Sequence, residues 1–200
     1  MSFSASSGPG LPQPEAQQRR GRRVALLILA FCAAPTVAAW LAYFVWPPRS
    51  HSSYGELIEP RPLSDPQLRR VDGGPFRLSE LRGKWVLLQI DSAACGDACR
   101  KKLVYMRQAR LALGRDADRV ERVWLVDDAA APDPALLREH QGLKVARAAP
   151  GAFLQQIPSP TEYIYVVDPL GSLMLRFPAD PDGRGMLKDL ARLLRASRVG

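Results

Sequence analysis

Trp85-Val86-Leu87-Leu88-Gln89-Ile90 runs through Asp91-Ser92-Ala93-Ala94 into Cys95-Gly96-Asp97-Ala98-Cys99, and the fold of this 200-residue chain turns on that stretch. The first six residues are nearly continuously apolar, as a strand buried on both faces should be. A helix is expected to follow, with Leu103, Met106, Arg110 and Leu113 at three- and four-residue steps and Gly114 closing it. The two cysteines thus fall where a strand becomes a helix. Working outward, Phe76-Arg77-Leu78 alternates briefly upstream. Downstream, Val120 to Val126 reads as the next strand, and Asp133-Pro134 starts a second helix through Leu136, Leu137 and His140 that ends near Gly142. Residues 143–158 show no clear element. Tyr163 to Val167 is strongly β-forming. Asp168-Pro169-Leu170-Gly171 is a turn, and Leu173 to Phe177 returns as its hairpin partner. Leu187, Leu190, Leu193 and Leu194 mark a last amphipathic helix. Alternating strand and helix predicts an α/β layered sheet, to which the late hairpin adds an antiparallel edge.

The N-terminal part is of a different character. Val24 to Trp46 contains no charged residue and is mostly Val, Ala, Leu, Ile and Phe. About 20 apolar residues span a bilayer as a helix, and Pro35 within the run is tolerated there. Trp40, Tyr43 and Trp46 stand near the exit, where amphipathic rings favour the headgroup layer. Arg19, Arg20, Arg22 and Arg23 precede the run, whereas Pro47-Pro48 and a single Arg49 follow it. The positive-inside rule predicts a cytoplasmic N-terminus and an outward C-terminal domain. A cleaved signal peptide would have a shorter apolar core and small residues after it, and Ala42-Tyr43-Phe44-Val45-Trp46 lacks that pattern. The expected organisation is a disordered cytoplasmic tail over 1–23, a transmembrane helix over 24–46, an extended linker over 47–70, and a folded domain over 71–200. The formal charge of +8 belongs partly to the tail arginines, and the remaining bases are scattered with no dense run among aromatics. That excludes nucleic acid as the expected partner and leaves the membrane.

The segment Phe76-x-Leu78-x-x-Leu81-Arg82-Gly83-Lys84-Trp85-Val86-Leu87, the cysteine pair, and Tyr165-x-x-Asp168-Pro169-x-Gly171 together resemble the Sco/SenC family. Those are membrane-anchored, thioredoxin-fold factors for cytochrome c oxidase assembly. The resemblance covers roughly residues 60–196 and extends to the single N-terminal anchor. Leu-Arg-Gly-Lys and Asp-Pro-x-Gly are shared with other thioredoxin-like families. The three-residue gap between the cysteines favours Sco, because thioredoxins and their membrane-tethered reductase relatives normally use two. The implied fold is α/β and thioredoxin-like, preceded by one N-terminal transmembrane helix.

Cys95 and Cys99 are the candidate catalytic and metal-binding residues, and Cys32, inside the apolar run, is a small apolar residue there. Helix N–H groups favour a thiolate at the strand-to-helix junction, and an oxidising outer compartment permits a disulfide. Within a helix, i and i+4 Cβ atoms lie about 5–6 Å apart, too far for the roughly 3.8 Å a disulfide needs. Cys95 must therefore leave the helix if the pair is to close. The same looped geometry lets two thiolates converge on Cu(I), which soft ligands select. Two buried structural thiols are the alternative.

In Sco proteins a histidine eight residues before the Asp of Asp-Pro-x-Gly completes the copper site. Here that position is Pro160, followed by Thr161. The chain's two histidines are His51, in the linker, and His140, in the second helix, where an exposed imidazole is the plain expectation. Thioredoxins place a cis-proline followed by a threonine-like residue opposite their cysteines. Pro160-Thr161 is a candidate for that role, with a turn proline as the alternative. Asp91 and Asp97 are the candidate bases nearby. The resemblance implies a factor in cytochrome c oxidase biogenesis acting by thiol–disulfide exchange or Cu(I) handling at Cys95 and Cys99. Its partners would be an oxidase subunit or other assembly factors, and its place the inner membrane with the domain in the periplasm. The competing expectation is a non-catalytic assembly protein that keeps the fold and binds a partner.

Overall fold

The computed structural model describes residues 14–45, 53–148 and 151–197. The first 13 residues of the tail, Trp46 at the anchor's exit, and His51 lie outside the described residues. The chain divides into two units, residues 1–50 and residues 51–200.

The first unit is one helix, α1 (Pro14–Val45), with Pro35 inside it. Its segment Arg22–Leu41 is long and apolar enough to cross a membrane, about 30 Å at 1.5 Å per residue. Cys32 is a free, exposed thiol on this segment. The helix starts earlier than the composition of the tail suggests. Residues 14–23, expected to be disordered, are helical. Pro14 stands at the first helical position, where its fixed φ suits the helix, and Glu15-Ala16-Gln17-Gln18 are strong helix formers.

The second unit is built on an eight-stranded mixed sheet. Its strands are β1 (Glu56–Pro62), β2 (Leu68–Arg70), β3 (Pro75–Phe76), β4 (Trp85–Asp91), β5 (Val120–Val126), β6 (Leu143–Arg147), β7 (Tyr163–Val167) and β8 (Ser172–Pro178). The spatial order is β1-β8-β7-β4-β5-β6-β2-β3. β4 is central, parallel to β5 and antiparallel to β7. Its side chains alternate between two cores, as a doubly covered strand requires. Trp85 and Leu87 pack with Met106, Leu175, Phe177, Met186, Leu190 and Leu194. Val86, Leu88 and Ile90 pack with Val123, Leu125, Phe153, Ile157 and Tyr165 on the other face. The first face is covered by α2 (Asp97–Ala112) and α5 (Gly183–Ala196). Two short helices complete the domain. α3 (Pro134–Glu139) is capped by Asp133, which accepts from the Ala135 amide at 2.8 Å. α4 (Ala152–Gln155) and β6 occupy the stretch that had no clear sequence pattern.

Two expectations are corrected at the sheet edges. Residues 47–70 contain β1 and β2, so the stretch read as a linker supplies two strands. β1 contains Pro60 and Pro62, which an edge strand tolerates because one side of its ladder is unpaired. The β7–β8 hairpin is consequently interior, since β1 pairs along β8 through Glu56↔Arg176 and Leu57↔Leu175. A bidentate Arg176–Glu56 pair, both bonds 2.8 Å, reinforces that edge. Gly55 sits against Phe177 so closely that a Cβ would come within 2.7 Å of the ring, and its amide donates to Asp189 at 2.8 Å.

Candidate functional site

The end of β4 delivers the cysteines. Cys95 lies off the helix with φ 41°, and Gly96 caps α2 with extended backbone. Cys99 stands in the first turn of α2. The two are joined in a disulfide with Cα atoms 5.0 Å apart. Ring closure across a three-residue gap thus depends on Cys95 adopting a left-handed conformation that an L-residue rarely takes. Backbone bonds hold that turn: the Cys95 amide donates to the Ser92 carbonyl at 3.1 Å, and Arg100 Nε donates to the Cys95 carbonyl at 3.1 Å. The Ala93 amide donates to Asp128 at 3.1 Å. Leu103, Trp124, Val126 and Leu136 wall the disulfide, and both cysteines are buried, at 1% and 2% exposure.

Behind the disulfide lies a buried polar chain. Gln89, inside the central strand, donates through Nε2 to Cys99 Sγ at 3.0 Å, to the Cys99 carbonyl at 3.2 Å and to Asp91 Oδ2 at 3.0 Å. Asp91 Oδ2 is also 2.6 Å from the ammonium of Lys102, whose side chain is fully buried. Lys102 Nζ in turn donates to the Thr161 carbonyl. Burial raises the Asp127 carboxyl above its ordinary range; the charges of Asp128 and Asp91 add to this, while its own backbone hydrogen bond and Lys102 oppose it. A continuous path of hydrogen bonds therefore runs from the Cys99 sulfur to the loop that carries Pro160.

Sequence reasoning named Cys95, Cys99, Pro160 and Asp91, and missed Gln89 and Lys102. The signal for both was a polar residue in an apolar register. Gln89 interrupts a strand buried on both faces. Lys102 lies three residues beyond Cys99 and four before Met106, on the same buried stripe of α2 as Leu103 and Ala109. Asp97, the other candidate base, is exposed in the first turn of α2.

Pro160 is partly buried in the turn before β7, and no peptide bond among the described residues is cis. The cis-proline reading is corrected accordingly. The turn is made instead by Ser159 at φ 46° and by the Tyr165 hydroxyl, which donates to the Pro158 and Ser159 carbonyls. His140 is not an exposed helix residue. It caps the end of α3 at 3% exposure, and burial together with the positive charges of Arg122 and Arg107 keeps its pKa below the ordinary histidine value. Among the described residues, no third His, Cys, Asp or Glu joins the two sulfurs in a metal-holding group. The donor set is two thiols, available to a soft monovalent ion once the disulfide is reduced.

Residues 85–197 match the family described as "Transmembrane-like, thioredoxin-like, C-terminal domain". The chain belongs to that family. No curated protein sequence matches it. Among solved structures the fold is similar to yeast Sco1 with copper bound, at 17% identity and TM-score 0.58, covering 70% of this chain and 96% of that one. It is similar to apo Sco1 from Thermus thermophilus at 23% identity and TM-score 0.55, covering 74% and 98%. The thioredoxin domain of a Bacteroides vulgatus thiol-disulfide oxidoreductase matches at 17% identity and TM-score 0.52, covering 70% and 99%. The Sco-like, thioredoxin-like fold expected from the motifs is thus present, and one N-terminal apolar helix fits a single-pass anchor.

Proposed function

We propose that this protein is a Sco-like, membrane-anchored thiol–disulfide exchange factor of cytochrome c oxidase biogenesis, acting in the periplasm at Cys95 and Cys99. The observation that carries the reading is the disulfide at the β4–α2 junction, with the Gln89 amide on the Cys99 sulfur. In the reducing direction, the Cys95 thiolate attacks one sulfur of a partner disulfide and expels the other as a thiolate. The Cys99 thiolate then attacks Cys95 Sγ, closes the intramolecular disulfide, and releases the partner's second thiolate. Two electrons pass to the partner, and its thiolates take protons according to the pH. A hydrogen bond from Gln89 favours Cys99 as thiolate. Since both sulfurs are buried when oxidised, exchange requires the turn at 92–96 to open, and relaxing the left-handed Cys95 favours that opening. Once reduced, the two thiolates also suit Cu(I) as cargo, with Pro160 at the position where Sco proteins carry a third ligand.

The test uses the full-length chain in nonionic detergent. Maleimide labelling should find one thiol, Cys32, before reduction and three after it. Equilibration with glutathione couples should yield a reversible two-electron midpoint that Cys95→Ser and Cys99→Ser abolish. A pair that stays closed in the folded protein under excess reductant would make the disulfide structural and leave the non-catalytic assembly reading. For cargo, competition against a Cu(I) chelator should show Pro160→His binding more tightly than wild type, and the double Cys→Ser variant not binding. Equal affinity in all three would exclude the cysteines as a copper site.

A further inference from the structure

Arg122, on β5, is 4% exposed, and its Nε and Nη1 have no hydrogen-bond partner. Its Nη2 donates to the Gln141 carbonyl. A guanidinium is always charged, and a buried charge is stable where it is paired. The surroundings do the opposite of pairing it. Arg107 and Arg110 from α2 and Arg138 from α3 converge with it on one open cleft of about 660 Å³, where Glu139 is the single acid. Arg110 is turned toward the Val120 carbonyl at 2.7 Å and Asp118 at 3.5 Å. Glu121, the next acid along β5, is taken by Lys84 at 2.7 Å and Lys144 at 3.8 Å. Arg107 and Arg138 have no ion-pair partner among the described residues and are exposed at the mouth. Burial, Arg110 and Arg107 all disfavour the charged form of Arg122, and Glu121 only partly offsets them.

Nη2 carries two N–H bonds and Gln141 takes one, so the other, together with the unpartnered Nε or Nη1 beside it, leaves one edge of the guanidinium fork free to take two oxygens of one tetrahedral or planar anion. With Arg110 turned to Asp118, Arg107, Arg122 and Arg138 around Glu139 still exceed what a single carboxylate would balance. We propose that this cleft binds a phosphate-bearing anion, with Arg122 as the buried anchor and Arg107 and Arg138 as the clamp at the rim. The anion's source is either a soluble phosphate compound or the headgroup of an anionic phospholipid, and both present the same chemistry to the fork. The site is independent of Cys95 and Cys99, so it stands whether or not the disulfide is redox-active.

The experiment uses the full-length chain in nonionic detergent at constant ionic strength. Calorimetric titration with pyrophosphate and with inorganic phosphate tests the soluble source. Titration with bicelles containing phosphatidylglycerol, against phosphatidylcholine alone, tests the lipid source. Saturable binding of at least one probe is expected, weakened tenfold or more by Arg107→Gln combined with Arg138→Gln. These two side chains are exposed, so the fold should persist, and a circular dichroism melt in probe-free buffer checks it. The control pair Arg184→Gln with Lys188→Gln, on α5, should bind as wild type does. Saturation by pyrophosphate identifies a soluble ligand, and saturation by phosphatidylglycerol bicelles alone identifies a headgroup. No saturable binding by any probe, or equal weakening in the control pair, would overturn the proposal.

Discussion

Lys102 and Arg122 are two buried cations on adjacent elements, and the domain treats them in opposite ways. Lys102 reaches the Asp91 carboxylate at 2.6 Å and the Thr161 carbonyl, so its charge is neutralised and its protons are placed. Arg122 has one carbonyl and two idle nitrogens among other arginines. A paired buried charge belongs to the architecture, because removing one partner strands the other. Arg122 gives the fold one hydrogen bond, to Gln141, and its charge stays open to the counter-ion proposed above. The two positions therefore separate a paired charge from an open one within one domain.

The largest expected effect tests that separation. Asp91→Asn leaves a fully buried ammonium without its carboxylate and should cost about 3–5 kcal/mol of unfolding free energy, read by chemical denaturation. Replacing both partners, Lys102→Met with Asp91→Leu, should recover most of the loss. Arg122→Met should change stability in anion-free buffer by less than about 1 kcal/mol, since the methionine removes an unpaired charge as well as one hydrogen bond. Equal losses at the two sites would break the comparison.

A smaller effect sharpens it at the disulfide. Gln89→Leu removes the amide that donates to Cys99 Sγ and leaves Asp91 to Lys102 alone. In the reduced protein the Cys99 thiolate, having lost its donor, should form less readily than in wild type, measured by thiolate absorbance against pH. An unchanged titration would mean that the polar chain supports the fold without acting on the sulfur.

The smallest effect lies beside Arg122. His140 has its folded pKa depressed, first by burial and then by Arg122 and Arg107, from an ordinary value of 6.5. The unfolded chain therefore takes up the proton more readily than the folded one. The stability associated with the neutral imidazole is present above about pH 6.5 and is lost as pH falls from there through the depressed folded value. Denaturation at pH 7.5 and pH 5 should show wild type losing more stability than His140→Gln, by on the order of 1 kcal/mol or less. Parallel behaviour of the two would place His140 outside the electrostatic reach of the arginine cleft.

Much of this was legible in the chain itself. β5 and β7 are where periodicity and β-branching put them, Val120–Val126 and Tyr163–Val167. The anchor and the looped cysteine pair followed from apolar length and from the reach of a disulfide. Local rules sufficed there because each decision involved residues close in sequence. The sheet edges were misread for the same reason. Pro60 and Pro62 break a strand by local rules, and only pairing with β8 makes β1 a strand. Gln89 and Lys102 were visible as polar residues in apolar registers, but no local rule could say that Asp91 would lie between them. Arg122, Arg107 and Arg138 are spread over 32 positions of chain as scattered surface bases. Three elements had to pack before they shared one cleft. Spacing and apolar pattern alone determined the α/β class, the long apolar N-terminal helix and the place of Cys95 off the helix. Which charges were neutralised and which left open was decided by tertiary packing, because electrostatic energy depends on distance and burial, and neither is a property of sequence separation.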